Sequence, residues 1–367
     1  MRIVGAVLED DRAGRPAGAR AQLAVCELDL EDPRSGEIRV AIDAAGVCHS
    51  DLSVVDGNRP RPLPMLLGHE GTGLVEMVGS DVDDIRPGQR VVMTFLPRCG
   101  QCAGCGSGGR VPCEQGTAAN SAGELMGGGT RLSRFGRPIR HHLGVSAFAT
   151  HAVVDRRSVV PVDDDIPPAV AALLGCAVLT GGGAVLNSGR PQSGESVVVV
   201  GLGGVGMAAT ITALALGHEV IAVDNLEAKL ELARDLGAAQ AVSPARALAS
   251  GIRAPVVIEA AGHPRAFETA FAMTAPGGRM VTVGLPAPSA IATVSPLLIT
   301  AEARTIAGSY LGSAVPNRDI PEFVRLWRDG LLPVERLVTS EIGLDQINDA
   351  MGDLAGGRTV RQIVRTG

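Results

Sequence analysis

Residues 196–224, "SVVVVGLGGVGMAATITALALGHEVIAVD", constrain the fold of this chain more than any other stretch. Val197–Val200 is an unbroken run of β-branched residues, the pattern of a strand covered on both faces. Gly201-Leu202-Gly203-Gly204-Val205-Gly206 follows as G-x-G-x-x-G. A helical pattern begins at once, and a second strand, "EVIAVD", ends on Asp224. Strand, glycine turn, helix and strand in this order predict a parallel sheet with crossover helices. "APVVIEAAG" and "GRMVTVGL" read as further strands of it. Such a loop suits a dinucleotide. Gly201 permits the tight turn, Gly203 lets the backbone approach a pyrophosphate, and Gly206 lets helix and strand pack closely. Gly204 and Val205 complete the loop at the helix N-terminus, which faces the phosphates. Asp224 is placed to bind both ribose hydroxyls and to repel a 2′-phosphate, which favours NAD over NADP. The plainer alternatives are a structural glycine turn and an ordinary strand-end acid.

The flanking regions differ in character. Residues 1–155 carry short β-like runs such as "EIRVAIDAAGV", "GTGLVEMVG" and "RPGQRVVM", and suggest an irregular β-barrel-like domain. Residues 114–145 are polar and glycine-rich, and mostly loop is expected there. "PAVAALLGCAVLTGGGAVL" reads as a buried helical stretch. In the tail "IPEFVRLWRDG" and "LDQINDAMGDLAGG" read as amphipathic helices and "RTVRQIV" as a last strand.

Four of the seven cysteines, Cys99, Cys102, Cys105 and Cys113, fall in the pattern C-x2-C-x2-C-x7-C. Disulfides, free thiols, an iron–sulfur cluster and zinc all compete for such a set. The ferredoxin run needs a further Cys-Pro at closer spacing, which is absent. Four thiolates on a compact loop suit a closed, tetrahedral, structural zinc. Cys48 in "GVCHSD", His69 in "GHE" and Cys176 in "LGCAVLTGGG" remain. A catalytic zinc wants three protein ligands and an open fourth position, and Cys2His is one known set. Singly, each of these residues reads as an ordinary core group; together with a nucleotide loop they read as a site.

Composition narrows the context. The chain has 367 residues, room for two domains, with 46% apolar and 20% charged residues. Lys plus Arg is 33 against 39 Asp plus Glu, a net charge of −6, which argues against nucleic acid or an anionic membrane as main partner. The N-terminus "MRIVGAVLEDDRAG" does not read as a signal peptide. Two uncharged stretches, 166–189 and 196–217, are long enough for membrane spans, but glycines break both. A cytoplasmic protein is expected, with thiols reduced and clustered cysteines on metal.

"GVCHSD", "GHEGTG", the four-cysteine lobe, "LGCAVLTGGGAV", "GLGGVG", "VIAVD" and "GRTVRQIV" together resemble the zinc-dependent medium-chain alcohol dehydrogenase family, over nearly the whole chain. The resemblance implies an α/β protein: a doubly wound Rossmann domain over 178–312, and a β-rich GroES-like catalytic domain. The latter is built from 1–177, with a structural zinc lobe at 97–115, and completed by 313–367. It implies two Zn2+ per chain, one held by Cys48, His69 and Cys176, the other by Cys99, Cys102, Cys105 and Cys113. The implied reaction is reversible hydride transfer between an alcohol and NAD, giving an aldehyde or ketone. Ser50 is implied at the alcohol oxygen, His49 and Arg361 near the phosphates, Thr180 near the nicotinamide amide. Asp51 and Glu70 are implied behind the metal; Phe95, His142 and Arg59 in the substrate pocket. Segment 115–144 resembles the loop of animal and glutathione-linked classes, which implies a homodimer.

The sequence also departs from the family. Its frequent histidine five residues after the ligand cysteine is Ser53 here, which cannot act as a base near neutral pH. Slower or more pH-dependent proton release is expected. The polar His142 and Arg59 suggest a substrate with a polar or anionic part. Rival readings are a dehydrogenase of a formaldehyde–thiol adduct, a zinc-family reductase of C=C or C=N bonds, and a cofactor-binding sensor.

Overall fold

The computed structural model describes residues 1–9 and 20–366. The chain divides into two compact units. The first comprises Met1–Ser107, Val111–Cys176 and Val338–Gly367, the second Gly108–Arg110 and Ala177–Leu337. The return to the first unit therefore comes at Val338, later than the 313 expected. The reason is packing: the helix Pro316–Arg328 seats Phe323 so close to Gly182 that a Cβ there would lie 2.5 Å from the ring.

The first unit is β-rich. Strands Arg2–Leu8, Leu23–Leu30, Leu132–Arg134, Arg137–His141 and Met65–Leu66 close a small barrel. Val7, Leu28, Leu30, Leu66, Leu132 and Ile139 fill it. A second sheet runs in the order Val159–Val162, Arg90–Met93, Glu70–Val78, Glu37–Gly46, Arg361–Arg365 and Val338–Gly343, with His151–Asp155 also on Glu37–Gly46. The C-terminal strand thus completes this sheet, with Ile363 opposite Gly46. Helix α1 (His49–Val55) leaves the end of the central strand, with Cys48 as its N-cap.

Segment 114–145 is not mostly loop. It holds helix α2 (Glu114–Ala122), ended by Gly123 in the left-handed region at φ 68°, and the hairpin of Leu132–Arg134 and Arg137–His141. The hairpin is too short to show alternation. Arg131 next to it is fully buried and clasps Glu37 through Nε and Nη2 at 2.7 and 2.5 Å. Polar composition here encodes a buried ion pair rather than exposure.

Helix α3 (Pro168–Gly189) is the one helix among the described residues long and apolar enough to cross a membrane, and 89% of its most apolar window is buried inside the protein. It widens into π-turns at Leu174–Val178 and Ala184–Gly189. Gly175 lies against the Met93 carbonyl, where any Cβ would clash.

The second unit is a parallel sheet. Its strands are β1 (Val197–Val200), β2 (Val220–Val223), β3 (Gln240–Val242), β4 (Ala254–Glu259), β5 (Thr274–Thr282) and β6 (Thr305–Gly308). The order is β3-β2-β1-β4-β5-β6, a doubly wound sheet whose order reverses between β1 and β4. Val198, Val200, Val223, Val257 and Met280 pack its core. Helix α4 (Gly204–Ala215) connects β1 to β2.

Candidate functional site

Three separate stretches of the first unit converge on one buried point. Cys48 arrives at the start of α1, His69 just ahead of strand Glu70–Val78, and Cys176 within the first π-turn of α3. One ligand atom from each of Cys48, His69, Glu70 and Cys176 lies within 4.8 Å of the others. Both thiols are 4% exposed and His69 is fully buried. His69 Nε2 is 3.4 Å from Cys176 Sγ, while His69 Nδ1 is 3.0 Å from Asp51 Oδ1. Asp51, also fully buried, accepts the Gly68 N–H at 3.1 Å as well. It thereby accepts a hydrogen bond from Nδ1 and leaves Nε2 facing the thiols as the nitrogen that could hold a metal.

Electrostatics follow from burial and proximity. Burial alone would lower His69, but Asp51 and then Cys48 hold it well above the ordinary imidazole range. Burial would raise Asp51, but His69 and His142 hold it below the usual carboxylate value. Cys176 donates a hydrogen bond to Cys48, so Cys48 is held well below the usual thiol range, and Cys176 is pushed well above it by the same bond and by burial. Burial pushes Glu70 up to about 7 against the pull of Arg361. Arg361 Nη2 donates to Glu70 Oε1 at 3.1 Å and lies 3.5 Å from Cys48 Sγ.

This donor set fits a divalent zinc. Two thiols and an imidazole nitrogen aimed at one point form a Cys2His group. Glu70 Oε2 is buried with no hydrogen-bond partner. With both thiols and Glu70 ionised, as a bound cation would require, Cys48, Cys176, Glu70 and Arg361 would sum to the opposite of a divalent cation's charge.

The lobe is a second donor set. Cys99, Cys102, Cys105 and Cys113 place their sulfurs within 4.8 Å of one another. Backbone N–H groups point at them: Cys99 at Cys113 Sγ and Gly100 at Cys105 Sγ, both 3.3 Å, Cys105 at Cys102 Sγ and Gly116 at Cys113 Sγ, both 3.4 Å. Donors of this kind stabilise thiolates, and the amides of Glu114 and Cys105 bring Cys102 down to about 6. Four thiolates leave no open position.

In the second unit Gly201 sits at φ 93°, the left-handed region open to glycine. A Cβ on Gly206 would run into the Gly201 carbonyl, whereas one on Gly203 meets nothing within 4 Å. The loop therefore has an open face at the N-terminus of α4, which fits a dinucleotide pyrophosphate. Asp224, half-buried at the end of β2, accepts N–H groups from Leu202 at 2.7 Å and Leu226 at 2.9 Å. It braces the glycine loop and keeps lone pairs on both oxygens.

The other residues singled out in the sequence fall as follows. Phe95 stands edge-on to His69, ring centroids 5.5 Å apart. His142 does the same at 5.4 Å, but it is 1% exposed and its Nδ1 faces Asp51 Oδ1 at 3.0 Å without the alignment of a hydrogen bond. Arg361 is 2% exposed and turned to Glu70. Ser50 is half-buried and His49 exposed on the first turn of α1. Ser53 Oγ donates to the His49 carbonyl at 2.8 Å. Arg59 is half-buried, its backbone N–H on the Ser53 carbonyl. Thr180 lies in α3, in the second unit, 8% exposed. Sequence reasoning missed Asn120, whose Nδ2 donates to the Phe95 carbonyl at 2.6 Å while its buried Oδ1 has no partner. It also missed His141. That ring is fully buried, its Nε2 accepts the Arg131 N–H at 3.1 Å, and burial first, then Arg131, push it down to about 3. Neither residue belongs to a motif, so no local signal marks them.

Comparison with known proteins bears on the family and the fold. A family model described as "Alcohol dehydrogenase GroES-like domain" matches residues 34–164, and one described as "Zinc-binding dehydrogenase" matches 204–328. The chain is 35% identical to the putative alcohol dehydrogenase D of Mycobacterium tuberculosis, covering 99% of this chain and 100% of that protein. It is 36% identical to the geraniol dehydrogenase of Castellaniella defragrans, covering 93% and 94%. The crystal structure of benzyl alcohol dehydrogenase from Acinetobacter calcoaceticus superposes with a TM-score of 0.90 at 31% identity, covering 100% of both chains.

Proposed function

Because the chain belongs to the zinc-dependent medium-chain alcohol dehydrogenase family, we propose that this oxidoreductase oxidises a primary alcohol reversibly with NAD, its carbinol carbon next to a π system. The observation that carries the reading is the convergence of Cys48, His69 and Cys176 in one buried cluster backed by Asp51. In this reading those three hold the catalytic zinc, the lobe cysteines hold a second, and the glycine loop with Asp224 holds NAD. When bound, zinc supplies a Lewis acid that acidifies the substrate hydroxyl, and NAD supplies the hydride acceptor. Asp51 keeps the His69 tautomer. Arg361 offsets the negative charge of Glu70 and Cys48, and burial excludes bulk water. Ser50 takes up the substrate hydroxyl proton as it hands its own hydroxyl proton on towards water; Ser53, whose proton is held by the His49 carbonyl, can accept a hydrogen bond but does not carry the proton further. Phe95 offers an aromatic edge to the substrate. The relatives named for geraniol and benzyl alcohol support an allylic or benzylic substrate.

A second reading, a zinc-family reductase of C=C or C=N bonds, draws on Ser53, which replaces a basic relay residue. Absorbance of NADH and NADPH across allylic, benzylic, polyol, formaldehyde–thiol, enal and iminium substrates separates the readings. Turnover of cinnamyl or benzyl alcohol with NAD is the expected result. Activity confined to conjugated or iminium substrates would replace it with the reductase.

A further inference from the structure

The strand order reverses between β1 and β4, and a dinucleotide on the glycine loop lies across that crevice. Of its two halves, the adenosine one covers the β2–β3 side and the nicotinamide one the β4–β6 side. Glu259 ends β4 at this crevice and takes no part in the sites described above. It is 1% exposed. Its Oε1 accepts the backbone N–H groups of Ala261 at 2.9 Å and Gly262 at 2.8 Å, and its Oε2 accepts Thr282 Oγ1 at 2.7 Å. Its carbonyl accepts the Val283 N–H at 2.9 Å. One residue thus ties the loop after β4 to the end of β5. That loop backs directly on the glycine loop. Ala260 N–H donates to the Val200 carbonyl at 2.8 Å, and a Cβ on Gly201 would lie 2.6 Å from Ala261 N.

A tie of this kind needs hydrogen-bond acceptors, not a charge. Among the described residues the hydrogen-bond partners of the Glu259 carboxylate are all neutral donors, so its negative charge is solvated by dipoles but not cancelled. The oxidised nicotinamide ring is a cation and the reduced ring is neutral. We propose that Glu259 positions the nicotinamide half of the cofactor and biases the crevice toward its oxidised form. The proposal rests on the NAD reading above.

Titration calorimetry of NAD+ and NADH on the full-length protein tests it. Glu259→Gln keeps the shape and removes the charge; the NAD+/NADH affinity ratio is expected to fall about fivefold. Glu259→Asp keeps the charge and is expected to recover most of the ratio. Equal weakening of both forms, or no change, marks a purely structural tie and overturns the proposal while leaving the NAD reading intact. A wild type that binds neither form overturns the NAD reading instead. Should Glu259→Gln fail to fold, Thr282→Val withdraws one neutral donor and keeps the charge. The ratio is then expected to rise about twofold, and an unchanged or lower ratio overturns the proposal.

Discussion

A carboxylate as deeply buried as Asp51 persists because its neighbours compensate it, and here two of its donors, the Gly68 amide and the His69 ring, lie next to each other in the chain. "GHE" is therefore a working unit: Gly68 N–H and His69 Nδ1 share one oxygen, and Glu70 meets Arg361. The convergence of Cys48, His69 and Cys176 was readable only from their joint occurrence with a nucleotide loop, since each alone reads as an ordinary core residue. The placement of Arg361 was not, because an arginine near a chain end carries no sign of whether it turns inward. His141 gives a prediction at this scale. Its ordinary value is 6.5 and in the folded chain it lies near 3. Above pH 6.5 both states are neutral there and nothing is lost. Below it the unfolded chain takes a proton that the folded chain refuses, so stability falls as pH drops, by about 1.4 kcal/mol per unit. Denaturant titrations between pH 7 and 4.5 are expected to show this slope in wild type and a flatter one in His141→Gln. Equal slopes would mean that another group governs acid sensitivity.

At the scale of elements, the lobe and α2 form one device. Cys113 is the N-cap of α2, and its sulfur accepts the Gly116 N–H. The four-cysteine set therefore also organises the first turn of that helix. Cys105→Ser is expected to release one zinc per chain and lower the melting midpoint by roughly 5–10 °C. Calorimetry and elemental analysis read both effects, and an unchanged midpoint with full zinc would contradict the assignment. Strands such as Glu70–Val78 and Val197–Val200 were legible because each is a clear periodic or apolar run. The 114–145 segment was not. Its fold comes from the Arg131–Glu37 pair, whose members are far apart in sequence, and from a hairpin turned by Phe135 and Gly136 at φ 51° and 73°.

For the whole molecule, the expected metal load is two zinc ions per chain, from two donor sets that share no residue. Graded treatment with a chelator is expected to separate their roles. Loss of activity should follow zinc leaving the buried set, and loss of thermal stability should follow zinc leaving the lobe. Activity and midpoint falling in strict proportion to a single zinc would show that one centre serves both. The broad organisation was legible because each unit has its own rhythm, alternating β in one and strand–helix repeats in the other. The second unit's end was not, because nothing along the chain marks Phe323 as the partner of Gly182. The π-turn at Leu174–Val178 also bears on how such a chain evolves. It stores one more residue than an α-turn requires. A one-codon deletion just ahead of Cys176 would remove Gly175, swing the thiol through about 100° and bring Leu174 against the Met93 carbonyl. The helix would lose its close approach to Met93, and the buried donor set would lose its third member. A single genetic step therefore separates this chain from a descendant without its buried donor set.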